Sequence, residues 1–280
     1  MRKNQERKSS APVISAAAAI FFAVTTTSAQ KTEKELPLSI DMRLNTSSAY
    51  VWRGKVLDKD PVTQPSVIGT LDLDDYGSFS MKLWSNWDLS TNQSNSKTTK
   101  NNGGINVFEY VPYYSKDFGP VGVTVGAIWY TFYPRTVNST REVFLTLAYK
   151  NPVVTPSVTA YYDYWEVGDG FMKDNPYDST YARVALDKTV PLSEKFSLAG
   201  TTLLGAAGNR YNEVRYQSDG GEGFADYEMS SRLIYAVNEH FSIAGKLAFT
   251  GLVGGNAGLD RNNISPNEQF WGGINLRCVF

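Results

Sequence analysis

Apolar and polar residues alternate one by one through most of the chain after residue 36, in runs of roughly ten residues. The clearest run spans residues 268–280, where one set of alternate positions is apolar or small and the other set is mostly polar. Successive side chains of a strand point to opposite faces, so this period of two predicts a strand between two different environments. Its apolar face carries the residues that we expect to close a sheet, namely Ile274, Leu276, Cys278 and Phe280.

The same period recurs upstream and predicts twelve strands in total, the first over residues 36–54. Tight turns alternate with long polar connections, which lie near 55–64, 90–103, 133–140, 167–178, 208–223 and 251–266. Outer-membrane β-barrels have short periplasmic turns and longer external loops. A soluble β-sandwich is the alternative, but it has no reason to keep this alternation. The pattern therefore predicts an all-β fold, a single antiparallel up-and-down transmembrane barrel over residues 30–280.

The predicted outer face carries almost no charge, with Lys188 near a strand end as the main exception. A Lys or Arg at the bilayer mid-plane would cost about 2 to 4 kcal/mol, so a lipid-facing surface must carry almost no charge. Aromatic residues near the predicted strand ends indicate girdles at the two membrane interfaces. They are Tyr50, Trp52, Trp87, Trp129 and Tyr149.

The first 29 residues have the pattern of a secretory signal peptide. A basic opening precedes the apolar run 11–24, and small residues at 27–29 precede the expected cleavage point. The apolar run is too short for a spanning helix. We therefore expect export, cleavage near residue 29, and location in the cell outer membrane.

Composition narrows the possible functions. The chain is 42% hydrophobic and 13% aromatic with a mean hydropathy of −0.31, which fits neither a helical membrane protein nor a disordered chain. A formal charge of −1 argues against nucleic acid as a partner. Cys278 is the single cysteine, so no internal disulfide forms, and we expect it to be a small outward-facing apolar group.

Charged residues cluster on the predicted inward face and suggest the function. One hypothesis is that they line a narrow polar pore and set its selectivity. The alternative is that opposite charges pair across the lumen and plug it, which would leave a structural or scaffold protein. Asp41 lies on this face, together with the candidate pore-lining residues Arg43, Arg53, Lys82, Asp88, Glu109, Glu142, Asp163, Arg183, Asp226, Glu228, Arg232, Lys246 and Arg277.

No motif predicts a catalytic residue, a cofactor or a metal site. His240 is the only histidine and lies beside a predicted tight turn, which favours a rim residue over a general base. Asp169, Asp174 and Asp178 lack the ordered spacing of a calcium loop. A lipid-modifying barrel enzyme is thus the disfavoured alternative.

Two segments resemble the TorF-like porin family. SAYVWRG at 48–54 is similar to the opening of these porins, and FEYVPYYSKDFGPVGVTVGAIWYTFYP at 108–134 is similar to their Glu-Tyr strand, Gly-containing turn and aromatic return strand. The resemblance implies a small outer-membrane barrel with a pore role and without catalytic residues. The expected partners are the lipid bilayer, the barrel-assembly machinery and small polar solutes; solute identity, selectivity and oligomeric state stay open.

Overall fold

The computed structural model describes residues 37–89, 104–133, 139–167, 179–216, 221–253 and 268–280. All of these residues belong to one compact unit, Pro37–Phe280. The predicted signal peptide at 1–29 and the three aspartates of the 167–178 connection lie outside the described residues.

The described residues form fourteen strands, and twelve of them build one closed antiparallel barrel. The barrel order around the wall is β1-β14-β13-β12-β11-β10-β9-β8-β7-β6-β5-β4, while β2 and β3 pair only with each other. The predicted twelve-strand barrel is confirmed. The strands are β1 Leu38–Ser47, β2 Tyr50–Trp52, β3 Lys55–Asp58, β4 Val62–Asp72, β5 Ser78–Asp88, β6 Gly104–Phe118, β7 Val121–Phe132, β8 Ser139–Tyr149, β9 Thr155–Val167, β10 Ser179–Pro191, β11 Phe196–Ala207, β12 Gly223–Ala236, β13 Phe241–Leu252 and β14 Glu268–Val279.

The closing seam joins the first and last strands. β1 and β14 pair antiparallel from Asp41↔Val279 to Ser47↔Gly273. Beyond the strand, the Phe280 N–H donates to the Ile40 carbonyl at 2.9 Å, and the Ile40 N–H donates back to the Phe280 carbonyl at 2.9 Å. Because the seam is hydrogen-bonded along its length, neither strand leaves an open edge.

The outer face of the barrel is an exposed apolar surface. Leu247 and Phe270 are 73% and 79% exposed, and most other exposed large apolar side chains of the wall alternate in the same way with inward residues. The wall strands have 10 to 15 residues, enough for tilted strands to cross a bilayer core. Lys188 points outward near the turn end of β10 and donates to the Pro152 carbonyl, away from the mid-plane. This outer face is that of a transmembrane barrel.

The two ends of the barrel differ as the connection lengths predict. The connections β4–β5, β6–β7, β8–β9, β10–β11 and β12–β13 are tight, and we call their side the turn end; the opposite side is the loop end. One loop-end connection, β11–β12, contains a short helix, Asn209–Tyr211, that continues into a π-helical turn, Asn212–Tyr216. None of the helices within the described ranges is long and apolar enough to cross a membrane.

The predicted first strand over 36–54 and the loop at 55–64 are wrong. The wall strand β1 ends at Ser47, and β2 and β3 form a separate hairpin before β4 begins at Val62. Arg53 and Gly54 make the two-residue turn of this hairpin, with φ of 47° and 73°. Two adjacent positive φ values define the tight hairpin turn that matches strand twist. Tyr50 is only 6% exposed, so it belongs to no interfacial girdle, and neither does Trp52 of the same hairpin.

A closed barrel of this kind should show heat-modifiable mobility. We expect the purified mature chain to migrate differently in SDS gels with and without boiling, because a fully paired wall resists the detergent until it is heated. Identical mobility in both samples would contradict the closed barrel.

Candidate pore and its plug

The β2–β3 hairpin crosses the lumen instead of extending into solvent. It leaves from β1 and β4, yet its turn lies against strands on another part of the wall. A Cβ atom placed on Gly54 would lie 2.4 Å from the Asp226 Cβ on β12 and 2.8 Å from the Gly251 carbonyl oxygen on β13. Only glycine fits this approach, both for space and for its positive φ. We call this hairpin, Tyr50 to Asp58, together with the helical segment Asn209 to Tyr216, the plug.

Arg53 at the hairpin tip is the central contact of the plug. Its guanidinium donates two hydrogen bonds of 2.8 Å to the carboxylate of Glu142 on β8. The side chains are 9% and 1% exposed. A planar guanidinium suits such two-pronged pairing, and the pair is strong when it is shielded from water. The same guanidinium donates to the Tyr211 hydroxyl.

Four aromatic rings surround the Arg53 guanidinium. Its central carbon lies 4.4 Å from the ring centres of Tyr161 and Tyr181, 4.7 Å from Trp52 and 5.4 Å from Tyr211. Arginine stacks on aromatic faces through cation–π attraction, which grows where water is excluded. The tip is therefore held by charge and by ring contacts from both the wall and the helical segment.

The helical segment adds a second set of ties. The Tyr216 hydroxyl lies 2.8 Å from the Arg53 carbonyl oxygen and 3.1 Å from Asp226 Oδ1, and Asp226 Oδ1 also accepts from the Tyr181 hydroxyl at 2.9 Å. Arg215 donates to Asp163 on β9 at 2.9 Å. Burial raises the pKa of the Tyr211 phenol, so it stays neutral and can accept from Arg53.

Two apolar clusters pack the plug against the wall. The first contains the buried residues Tyr181, Ala207, Tyr211, Tyr216, Ala225 and Leu252, with Trp52 and Tyr161 against them. The second contains Tyr50, Val62 and Val107, with Trp52, Leu57, Trp84 and Phe132 against them. Trp52 belongs to both clusters. The plug is thus packed like a protein core against this part of the wall.

A cavity of about 320 Å³ lies against the hairpin. Arg53 and Gly54 form part of its lining, and wall residues with charged side chains form another part. Those charged wall residues are Lys82, Glu109, Arg183, Asp226 and Glu228. Because this lining is polar, the cavity can hold water or a small polar solute.

The predicted pore-lining residues fall into two groups. The acidic residues of the first group are buried, and most of them tie the plug: Asp88, Glu142, Asp163 and Asp226 are at most 5% exposed. Arg53 belongs to the same group, but it reaches the lumen from the hairpin and not from the wall. The second group lies on the wall toward the turn end and is partly exposed, and it comprises Arg43, Lys82, Glu109, Arg183, Glu228, Arg232, Lys246 and Arg277.

The second group forms local ion pairs on the lumen wall. Lys246 Nζ lies 2.9 Å from Glu228 Oε1, and Lys82 Nζ lies 4.0 Å from Glu109 Oε2. Asp41 accepts from two arginines, Arg43 at 2.6 Å and Arg277 at 2.9 Å. Each of these pairs joins residues of one strand or of two neighbouring strands, so it lies along the wall.

The closing-strand residues lie where the alternation places them, with one difference in exposure. Ile274 is 58% and Phe280 is 40% exposed on the outer face, and Leu276 is half-buried. Cys278 is only 7% exposed, opposite the buried Met42 across the seam. The seam therefore covers the thiol.

His240 lies at the turn end, as the sequence predicts. Its Nδ1 lies 2.8 Å from the Val279 carbonyl oxygen, and its ring stacks on Phe280 at 5.6 Å between ring centres. These contacts tie the β12–β13 turn to the end of β14. Among the described residues, no group of three or more His, Cys, Asp or Glu side chains could hold a metal ion.

Sequence reasoning missed the aromatic half of the site. Tyr211 and Tyr216 are 0% and 2% exposed, although they lie in a connection predicted to be a polar loop. The available signal was the pair of tyrosines within a Gly/Asn-rich segment, since a solvated loop has little reason to carry two large rings.

No protein-family model and no curated protein sequence matches this chain. Among solved structures, an outer membrane channel from Pseudomonas putida F1 has a TM-score of 0.53 at 11% identity, over 90% of this chain and 100% of that one. The NanC porin has a TM-score of 0.50 at 13% identity, over 86% of this chain and 98% of that one. An outer membrane phospholipase from Salmonella typhi has a TM-score of 0.44 at 14% identity, over 89% of this chain and 94% of that one. The first two similarities show the fold, which is that of outer-membrane β-barrels.

Proposed function

We propose that this chain is a porin-like channel of the outer membrane that lets small polar solutes diffuse passively. The observation that carries the proposal is the contrast between the two faces of the wall: the outer face is apolar, while the inner face toward the turn end carries partly exposed charged side chains such as Arg232 and Lys246. An inner face of this kind is hydrated, and a hydrated lumen is what passive diffusion requires.

The plug narrows this channel at the loop end. Because the hairpin tip reaches Glu142 and Asp226 on the wall, a solute that passes it would use the polar cavity of about 320 Å³ beside it. Cavities of this size hold compact solutes of a few heavy atoms to small drug-sized molecules. The proposal is therefore a narrow channel and not a wide general pore.

Planar-bilayer recording tests the proposal. We expect discrete openings of small conductance from the folded protein and none from boiled protein of the same preparation. Swelling of liposomes in small sugars or amino acids is the second measurement, because it detects neutral solutes. Folded protein that gives neither openings nor swelling would contradict a channel.

A closed barrel with a structural role is the second candidate, and the plug is the observation that favours it. Its tip is bound by Glu142, by tyrosine hydroxyls and by two apolar clusters, an arrangement that leaves the loop end well packed. The two candidates differ in one measurement: a structural barrel stays silent in bilayers, whereas a narrow channel conducts.

The proposal includes the route to the membrane and the family. We propose that residues 1–29 are cleaved on export, that the barrel-assembly machinery inserts the chain through its closing strand, and that the chain is a TorF-like porin. N-terminal sequencing of protein from purified outer membranes should begin at Gln30. No catalytic role is proposed, and the backbone contact of His240 Nδ1 supports a rim role.

A further inference from the structure

The inward charges between the plug and the turn end are unequal in number. Six basic side chains lie there, and we call them the basic band: Arg43, Lys82, Arg183, Arg232, Lys246 and Arg277. The acidic side chains at this level of the same face are Asp41, Glu109, Asp187 and Glu228. Asp72 and Asp117 also face inward at the rim of the turn end, where Lys150 pairs with Asp117. Their inward direction follows from strand alternation, since neighbours such as Leu186, Leu233 and Leu247 are exposed on the outer face.

The basic groups of the ion pairs are also more exposed than their acidic partners. Lys82 is 33% exposed and Glu109 is 12% exposed. Arg43 and Arg277 are 37% and 45% exposed, while the Asp41 that they share is 15% exposed. Water and solute in the lumen therefore contact the cations of these pairs more than the anions.

Two members of the basic band form no ion pair, although Arg183 lies close enough to Asp226 to interact with it electrostatically. Within the described part of the chain, no acidic side chain forms an ion pair with Arg183 or Arg232. Arg183 lies 5.6 Å from the ring centre of Tyr161, and Arg232 is exposed in the lumen opposite Lys246 in the β12–β13 register. The two arginines lie at different levels of the wall, since Arg183 faces Gly205 and Arg232 faces Ala199 on β11, so each offers a separate contact to a passing anion.

The acidic wall residues around the plug offset this field only weakly. Glu142 is paired with Arg53, Asp163 with Arg215, and Asp226 accepts from two tyrosine hydroxyls. All three acids are at most 3% exposed. Glu142 and Asp163 therefore have a cationic partner, while Asp226 is held by neutral hydroxyl groups.

We infer that the basic band makes the lumen prefer small anions, and that Arg183 and Arg232 are its specificity-determining residues. The inference rests on the proposed channel and names its solute class: compact, negatively charged molecules such as inorganic anions and small carboxylates. An excess of fixed positive charge in a narrow passage raises the local anion concentration and lowers that of cations.

Reversal potentials in a KCl gradient test the preference directly. We expect the wild-type chloride-to-potassium permeability ratio to be about 3 or more, since narrow clefts of one charge sign concentrate counter-ions by at least this factor. The double variant Arg183→Gln, Arg232→Gln should bring the ratio close to 1, because neither arginine holds an ion pair whose loss would disturb the wall. Lys188→Gln removes an outward cation and is the matched control, so its ratio should equal that of the wild type. Cation preference in the wild type, or an unchanged ratio in the double variant, would overturn the inference.

A thiol measurement tests the field without requiring conduction. In a Cys278→Ser background, Ser230→Cys places a thiol on the lumen wall next to the basic band, and Leu192→Cys places one on an exposed turn. We expect the ratio of reaction rates with anionic and cationic methanethiosulfonates to be at least about threefold higher at position 230. This difference in rate ratio between positions 230 and 192 should disappear when Arg183 and Arg232 are also replaced by Gln.

The two measurements separate the inference from the proposed function. Silent bilayers with a higher anionic rate at position 230 would reject the channel and retain the anion-preferring lumen. Conduction with equal rate ratios at both thiols and no chloride preference would retain the channel and reject the basic band as its selectivity element.

Discussion

Replacing Arg53 with alanine is expected to raise single-channel conductance several-fold. The substitution removes both hydrogen bonds to Glu142 and the contacts with four aromatic rings. Glu142 would then be a buried unpaired carboxylate, and breaking one side of a buried ion pair costs about 3 to 5 kcal/mol if nothing moves. If the hairpin tip moves away, water reaches the Glu142 carboxylate and this cost falls. The displaced tip then leaves the loop end open. Planar-bilayer recording of the folded variant measures the change.

Lys59→Ala is the matched control for this experiment. Lys59 belongs to the same connection and is exposed, so its loss removes a positive charge without touching the plug contacts. Its conductance should equal the wild-type value. The conductance of Arg53→Lys should lie between those of Arg53→Ala and Lys59→Ala, because lysine keeps the charge but cannot donate the paired hydrogen bonds of a guanidinium. Wild-type conductance in Arg53→Ala would mean that the hairpin does not obstruct the passage.

Deleting residues 274–280 is expected to abolish stable insertion into the outer membrane. The deletion removes six of the seven backbone pairs that join β14 to β1, together with the Phe280–Ile40 hydrogen bonds. In hydrocarbon, each unpaired backbone group costs several kcal/mol, so a barrel with an open seam is not stable there. The amount of protease-resistant, heat-modifiable protein in purified outer membranes measures the loss.

Point variants at the same end separate the side chain from the strand. Phe280→Asp keeps the backbone pairs but removes the ring that stacks on His240, and we expect a partial loss of inserted protein. Leu192→Asp adds the same charge at an exposed turn away from the seam and serves as its control. Normal insertion of the deletion variant would show that β14 does not close the barrel.

Most of the wall could be predicted because a barrel strand has two faces with opposite requirements. The alternation of apolar and polar residues with a period of two reflects these two faces directly, and positions such as Leu233 and Arg232 lie on the expected sides. The error at the first strand has the same origin. Tyr50 and Trp52 continue the alternation past Ser47 because a hairpin strand packed inside a barrel also has two different faces. The small residues Ser48 and Ala49 mark the actual break.

The plug could not be predicted because its contacts join residues far apart in the sequence. Arg53 meets Glu142 and Tyr211, which are 89 and 158 positions away. Alternation gives the direction of each wall side chain, but it contains no information on how far a loop enters the lumen. The helical segment is also too short for a helical period to stand out against its polar neighbours.

The contacts of the hairpin tip set an order on assembly. The tip is formed near the start of the chain, but its partners Glu142, Tyr181, Tyr211 and Asp226 come from β8, β10, the β11–β12 connection and β12. The hairpin has no complete binding surface until these later elements are in place. Docking of the tip is therefore a late step that reports the completion of the wall, and a cross-link between positions 53 and 142 would distinguish finished barrels from partly assembled ones.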